Sequence, residues 1–245
     1  MNSDLPIIDL GPFLTTSTPG DAITSKQKET AEEIRQACMT HGFFYVTNHG
    51  IDSKLIKSMM SSTKDLFNLS SEKKASLSSK SNPLFRGYIS TSDGLHTCNS
   101  KKKEEVGLDQ KESFTLGAES QRIDPGKEAT AASPMHGPNQ WPDETHLPTF
   151  KSTMEEYWNA QIKLCRVIAR GLALSLDLPT TFFDPYLTDP VAQMVLLRYP
   201  PPPQRMDKEA CQTKHPGCGE RKNFLRLLCF TSLYLLSLLS YSHSF

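Results

Sequence analysis

Four potential metal ligands lie close together late in the sequence. They are Cys211, His215, Cys218 and Cys229, in a C-x3-H-x2-C-x10-C spacing. Thiolate and imidazole side chains of this kind can hold zinc in a tetrahedral site. The spacing differs from that of the common zinc fingers, so zinc is a minor alternative for this stretch.

Composition indicates a globular chain with a sizeable core. Hydrophobic residues make up 37% of the 245 residues, and Lys+Arg and Asp+Glu both number 27, so the formal net charge is zero. A protein that binds phosphate backbones usually carries a basic excess, so nucleic-acid binding is not expected. The six cysteines are widely spaced and no secretion signal is recognised at the N-terminus, which predicts reduced thiols and a cytoplasmic location.

Periodicity in the N-terminal part predicts alternating strands and helices. Residues 5–10 form a β-rich run that ends at a Gly-Pro pair. Ser25 is the expected N-cap of a helix that reaches Thr40. The apolar run 43–46 has the length of a strand and is expected to be buried on both faces. A second amphipathic helix is expected after a cap at Asp52 or Ser53, with apolar positions from Leu55 to Phe67.

The rest of the chain predicts loops, one long helix and a strand. Residues 70–82 and 92–105 are rich in polar residues and are expected to form solvated loops. Over 149–176, apolar residues recur every three or four positions, which predicts a single long amphipathic helix. Residues 191–199 have strand character, and the proline run 200–203 ends it.

Two N-terminal motifs are followed by five landmarks in a fixed order. The motifs are LPIIDL at 5–10 and ACMTHGFFYVTNHGI at 37–51; the landmarks are RGY at 86–88, KESF at 111–114, GPNQWP at 137–142, MEEY at 154–157 and LRYPP at 197–201. Together they resemble the N-terminal region of 2-oxoglutarate/Fe(II)-dependent dioxygenases, the group similar to isopenicillin N synthase. The likeness covers residues 5–220.

This resemblance implies an α+β fold, in which a helical N-terminal region precedes a double-stranded β-helix, or jelly roll, that is incomplete in this sequence. Residues 5–186 are then expected to form the N-terminal region of the non-haem dioxygenases. Residues 187–220 are expected to supply the first strands of the jelly roll. Residues 221–245 are expected to be an apolar tail unrelated to the family.

The resemblance also implies Fe(II) and 2-oxoglutarate as cofactors for the oxidation of a small organic substrate. Two His and one carboxylate hold the iron in such enzymes, and the His-x-Asp pair would fall at Arg221 and Asn223. Arg stays protonated and an Asn amide is a poor ligand. The distal His and the Arg that grips 2-oxoglutarate are expected to be missing as well. Neither cofactor is therefore expected to bind well, no catalytic or metal-binding residue is assigned, and Tyr199 alone is retained as a contact to 2-oxoglutarate.

Other polar residues in the landmarks have structural interpretations. His41 and His49 are expected to be turn histidines rather than catalytic groups. Arg86 and Tyr88 have either a structural role or a place near the substrate entrance. Lys111–Glu112 is expected to form a packing ion pair or a buried hydrogen-bond anchor.

The C-terminal stretch 227–239, LLCFTSLYLLSLL, carries no charge. It suits a tail anchor in a membrane, but a frame switch or an intron after Glu220 better explains the abrupt change in composition. The sequence thus predicts a member of an oxidoreductase family that is inactive in this form. The alternatives are a non-catalytic or dominant-negative partner of a full-length relative, or a tail-anchored membrane protein.

Overall fold

The structure is a computed structural model and describes residues 5–14, 22–91, 111–119, 137–188, 190 and 192–200. The chain divides into two compact units, residues 1–61 with 149–190 and residues 62–148 with 191–245. In chain order the elements are β1 Ile7–Asp9, α1 Gly11–Leu14, α2 Ser25–Thr40, β2 Tyr45–Thr47, α3 Ser53–Phe67, α4 Ser71–Ser76, β3 Gly87–Ile89, β4 Glu112–Gly117, α5 Phe150–Ser175 and β5 Gln193–Arg198.

A short parallel pair of strands, β1 and β2, belongs to the first unit. Ile8 pairs with Val46 and is buried, whereas Ile7 faces outward. The expected burial of residues 43–46 on both faces was wrong, because Phe43 lies before the strand and is 42% exposed. The reason is that β2 has three residues and, in the part of the chain that is described, pairs with β1 alone.

Helix α2 is capped one residue earlier than expected. Thr24 is the N-cap: its hydroxyl accepts the N–H of Gln27, and the Gln27 side chain accepts the N–H of Thr24. This reciprocal pair is a capping box, which satisfies two N–H groups that a helix start otherwise leaves unpaired. Ser25 is therefore the first residue of the helix and not its cap.

The long helix α5 confirms the predicted span 149–176. Thr149 and Leu176 are its caps, and its 26 residues give a length of about 39 Å. The first half buries the expected apolar stripe, which includes Phe150, Met154 and Tyr157. Burial of the Tyr157 hydroxyl raises the pKa of that side chain.

The second half of α5 packs differently from the prediction. Ala169, Gly171 and Ala173 are buried, whereas Leu176 is 56% exposed. A Cβ atom at Gly171 would lie 2.7 Å from Cδ1 of Ile34 on α2. Small residues on α5 thus allow the two helices to approach more closely than a stripe of leucines would.

The second unit contains an antiparallel sheet in the order β3-β4-β5. Strand β4 is central, and all six of its residues are buried. Across the sheet, Phe114 pairs with Tyr88 on one side and Leu196 on the other. On the outer side of β3, the N–H of Tyr88 donates to the carbonyl of Leu77 at 2.7 Å.

The expected mixture of helices and sheets is confirmed, and β5 lies within the predicted strand 191–199. The first jelly-roll strands were expected from residue 187 onward, but the sheet that contains β5 already has two strands before that position, β3 and β4. The jelly roll itself and the domain boundaries at 186 and 220 stay predictions.

Candidate functional site

Tyr199 directly follows strand β5 and is 41% exposed. The residue before it, Arg198, pairs with Glu112 at the start of β4. Nη1 of Arg198 donates to Oε1 of Glu112 at 3.3 Å and to the carbonyl of Phe67 at 3.1 Å. These bonds tie the end of β5, and so the backbone that carries Tyr199, to β4 and to the end of α3.

The Glu112 carboxylate is the centre of a buried charge cluster, which we define as Lys74, Tyr88, Glu112 and Arg198. Oε2 of Glu112 accepts Nζ of Lys74 at 2.7 Å and the hydroxyl of Tyr88 at 2.9 Å. The expected buried anchor at Lys111–Glu112 is thus present at Glu112. The ion-pair partners of its carboxylate are Lys74 and Arg198 rather than Lys111.

Lys74 is the member of the charge cluster that sequence reasoning missed. Residues 70–82 do not form the expected solvated loop: Ser71–Ser76 is helix α4, capped by Ser70, and Lys74 is only 9% exposed. Its ammonium also donates to the carbonyl of Phe67 and lies 5.3 Å from the centre of the Tyr88 ring. A lysine can be buried in this way because its ammonium finds acceptors inside the protein.

The charge cluster contains two cations, Lys74 and Arg198, and one carboxylate, that of Glu112. The side chains of Lys74 and Glu112 are both 11% exposed, whereas that of Arg198 is 38% exposed. Water can therefore solvate the arginine, while Lys74 depends on protein acceptors. The arrangement fixes three strands and two helix ends in the second unit.

Arg86 forms a second anchor and is 1% exposed. Its guanidinium donates to the carbonyls of Gly137 and Ala118 and to the side-chain oxygen of Asn139. Burial lowers the pKa of Arg86, and the nearby Glu119 carboxylate opposes that shift. Because protein oxygens accept these hydrogen bonds of the guanidinium, the geometry favours a structural role for Arg86.

Asn139 completes this anchor because its side-chain amide bonds the backbone of Gly117, as a neighbouring strand would. Its amide accepts the N–H of Gly117 and donates to the carbonyl of Gly117, both at 2.9 Å. A side chain at Gly117 would collide with Arg86, because a Cβ there would lie 2.6 Å from Nη2 of Arg86. Tyr88 likewise has its hydroxyl on Glu112, inside the sheet unit.

The two histidines bond within their own turns. Nδ1 of His49 accepts the N–H of Ile51 at 3.1 Å. The N–H of His41 donates to the carbonyl of Ala37 and closes helix α2. Both geometries agree with turn roles.

Iron does not fit the residues at the positions where the resemblance puts its ligands. Arg221 is cationic and offers no lone pair, and the Asn223 amide is uncharged, whereas ferrous iron of this type takes imidazole and carboxylate. Both residues lie outside the described part of the chain, as do the four residues of the zinc alternative. Among the described residues, no three His, Cys, Asp or Glu side chains come together as a metal-binding group.

The membrane interpretation rests on residues 227–239, which also lie outside the described ranges. Within those ranges, no helix has both the length and the apolar character needed to span a bilayer.

Comparison with known proteins identifies relatives over most of the chain. Residues 5–144 match the family described as non-haem dioxygenase in morphine synthesis, N-terminal. The 2-oxoglutarate-dependent dioxygenase thnC of Trichoderma harzianum is 34% identical over 200 residues, which are 81% of this chain and 56% of thnC. Isopenicillin N synthase of Streptomyces clavuligerus is 33% identical over 206 residues, with the same coverage of each chain.

Solved structures show the same relationship. A full-length Neurospora crassa protein in complex with alpha-KG superposes with a TM-score of 0.61 at 27% identity, over 82% of this chain and 56% of that protein. A 2OG-Fe(II) oxygenase family protein from Caulobacter crescentus has a TM-score of 0.63 at 22% identity, over 83% of this chain and 58% of that protein, and shares the fold. This chain spans a little over half the length of the curated relatives it matches. The chain belongs to the 2-oxoglutarate/Fe(II)-dependent dioxygenase family, through its non-haem dioxygenase N-terminal region.

Proposed function

We propose that this chain carries the helical scaffold and first sheet strands of an oxidoreductase that acts on a small organic molecule, and that residues 1–245 do not themselves activate oxygen. The observation that carries the second part is the pair Arg221 and Asn223, in place of the family's His-x-Asp. A protonated guanidinium at a ligand position repels a divalent cation and cannot donate an electron pair to it.

Tyr199 is the residue that we propose for contact with 2-oxoglutarate. It matches the Tyr of the LRYPP landmark, follows β5 directly and is partly exposed. The charge cluster supports this role because it anchors the neighbouring Arg198. A single phenol hydroxyl binds a dianion weakly by itself, so we expect residues 1–245 to bind 2-oxoglutarate with low affinity.

A small organic substrate is supported by what the relatives are named for. Isopenicillin N synthase is one of them, and the Neurospora crassa protein has been solved in complex with alpha-KG and thymine. Those names describe the relatives and not this chain. For this chain they support only the class of the substrate, a compact organic molecule.

The test is iron-dependent turnover of 2-oxoglutarate by residues 1–245. The chain is incubated with Fe(II), ascorbate and 2-oxoglutarate, and succinate is measured beside thnC as a positive control. We expect succinate at the level of the protein-free blank, and no visible charge-transfer absorption when the chain, Fe(II) and 2-oxoglutarate are mixed anaerobically. Succinate formation that depends on stoichiometric bound iron would refute the proposal.

A matched variant, R221H/N223D, separates the ligand argument from general instability. It replaces a cation and an amide with imidazole and carboxylate, so we expect Fe(II) affinity to rise at least about tenfold over the parent chain. Equal iron binding by parent and variant would show that these two positions do not face a metal site.

A further inference from the structure

Strand β4 presents two hydroxyl groups on one face of the sheet. Side chains alternate along a strand, so Ser113, Thr115 and Gly117 share one face, while Glu112, Phe114 and Leu116 share the other. We call the first of these the hydroxyl face. The charge cluster lies on the opposite face, together with the apolar pair Phe114 and Leu196.

The register gives both hydroxyls on the central strand an aliphatic neighbour on β5, and gives Ser113 a second one on β3. Ser113 pairs with Ile89 on β3 and with Leu197 on β5, and Thr115 pairs with Gly87 and Val195. Ser113 thus lies between two branched aliphatic side chains, whereas Thr115 has one on its β5 side and a glycine on its β3 side. Within the three strands this face carries no Asp, Glu, Lys or Arg, but alternation also puts Lys111, which directly precedes β4, on the hydroxyl face.

Ser113 and Thr115 are buried, and their hydroxyls have no hydrogen-bond partner within the part of the chain that the structure describes. Ser113 is 7% exposed and Thr115 is 8% exposed, and neither side chain makes a hydrogen bond with the described residues. Neither oxygen is among the fully enclosed unpaired side-chain atoms there, which belong to Gln140, Gln161 and Arg170. The two oxygens are therefore recessed but reachable. Buried polar groups are normally paired, and an unpaired one lowers stability.

Tyr199 belongs to the same face by alternation. Counting two residues on from Leu197 gives Tyr199, and the following Pro200 disfavours a helical conformation at Tyr199. The recessed hydroxyls and the residue proposed to touch 2-oxoglutarate thus lie on one side of the sheet.

We propose that Ser113 and Thr115 are specificity-determining residues that hydrogen-bond the small organic substrate, an inference that rests on the proposed function. Residues two apart on a strand are separated by about 6.6 Å, so the two hydroxyls suit two polar groups at that spacing, or one extended amide. The hydroxyls and the aliphatic side chains beside them favour a molecule with carbonyl, amide or hydroxyl groups and an aliphatic or ring body.

The first test is thermal stability of Thr115→Val and Ser113→Ala in residues 1–245. A hydroxyl kept for binding and not for folding can be removed at no cost, so we expect a melting temperature equal to or above that of the parent. The control is Tyr88→Phe in the same sheet, which removes a hydroxyl bonded to Glu112 and is expected to lower the melting temperature by about 2–4 °C. A loss in Thr115→Val or Ser113→Ala as large as in the control would make the hydroxyls structural and overturn the proposal.

The second test is ligand-observed NMR with benzamide, which offers a carbonyl and an amide on a ring body. We expect saturation transfer to benzamide at millimolar concentration, and about tenfold weaker binding in the S113A/T115V double variant, the loss expected for one good hydrogen bond. Absence of benzamide binding, or an unchanged affinity in the double variant, would each overturn the proposal.

Neither test contains iron or 2-oxoglutarate, so this inference and the proposed function can fail separately. Succinate formation by residues 1–245 would refute the proposed inactivity and leave the benzamide result standing. A negative benzamide result would leave the metal-ligand argument intact.

Discussion

Replacing Glu112 tests whether the charge cluster holds the sheet unit together. The carboxylate accepts hydrogen bonds from Lys74 at 2.7 Å, Tyr88 at 2.9 Å and Arg198 at 3.3 Å. Glu112→Gln keeps the size of the side chain but removes its charge and turns one acceptor into a donor. The Lys74 ammonium is then left in a buried position with the Phe67 carbonyl as its acceptor.

The cost follows from the burial of each partner. Breaking a buried ion pair by removing one partner costs about 3–5 kcal/mol, because the other charge stays uncompensated. Arg198 adds less than about 1 kcal/mol, since its side chain is 38% exposed and water replaces the carboxylate. We therefore expect Glu112→Gln to lower the free energy of unfolding by about 3 kcal/mol, more than a hundredfold in the unfolding equilibrium.

The assay uses the two tryptophans, which lie in different units. Trp141 belongs to the unit that contains the charge cluster and Trp158 to the other. Urea denaturation followed by fluorescence in a Trp158→Phe background reports the sheet unit alone. The midpoint for Glu112→Gln should fall at an unchanged slope, which shows that stability and not compactness has changed.

A double variant without either charge decides whether pairing is the cause. Lys74→Met/Glu112→Leu removes both charges, and such replacements are often neutral or stabilising, so it should recover most of the loss seen in Glu112→Gln. A loss below about 0.5 kcal/mol in Glu112→Gln, within the usual range of an ordinary surface change, would refute the reasoning. So would a double variant that is no more stable than the single one.

Three further outcomes test the fold. Gly87→Ala should lower the free energy of unfolding by more than about 3 kcal/mol, because the added Cβ would overlap the carbonyl oxygen of Leu77 and the φ of Gly87 is +110°. Gly42→Ala, which has open space around its Cβ, should lower it by about 1 kcal/mol. Urea midpoints of the two variants test the difference. Thr24→Ala should cost about 1 kcal/mol by loss of the capping box, as measured by urea denaturation, and an unchanged midpoint would show that the cap is dispensable. The pKa of Asp9 is lowered by the backbone N–H of Gly11 and, to a smaller extent, by the side-chain amide of Asn48, both of which donate to its carboxylate. The stability that the carboxylate contributes is therefore present above the ordinary carboxyl pKa and is lost as pH falls through the lowered value. Asp9→Asn should flatten that part of the pH–stability curve, and an identical curve would contradict the assignment.

Elements with a strong local period were predictable from the sequence, and long-range pairs were not. Helix α5 followed from apolar residues spaced three or four apart, since that signal is contained within the helix. Lys74 was hidden because its partner Glu112 lies 38 residues away, and nothing near Lys74 indicates burial. A serine- and lysine-rich segment is predicted to be a loop, and only the fold shows that a carboxylate lies beside its lysine and pairs with it.

The central strand β4 was missed for a different reason. Polar and apolar residues do alternate from Ser113 to Leu116, but four residues are the shortest run that indicates a strand, and the polar residues give no sign that both faces are buried. The candidate site was partly predictable: Tyr199 came from the landmark LRYPP, but the hydroxyls of Ser113 and Thr115 acquire meaning only once the strand register puts them on the same face.

The backbone of Leu77 and Ser78 runs along the outer side of β3, where it bonds to Tyr88. That margin is blocked, and among the described strands β5 pairs only on its β4 side. Within the described part of the sheet, β5 is therefore the edge at which a further strand can pair. A peptide inhibitor that adds a strand to these residues is expected to join there, and charged residues engineered onto β5 offer a direct way to prevent it.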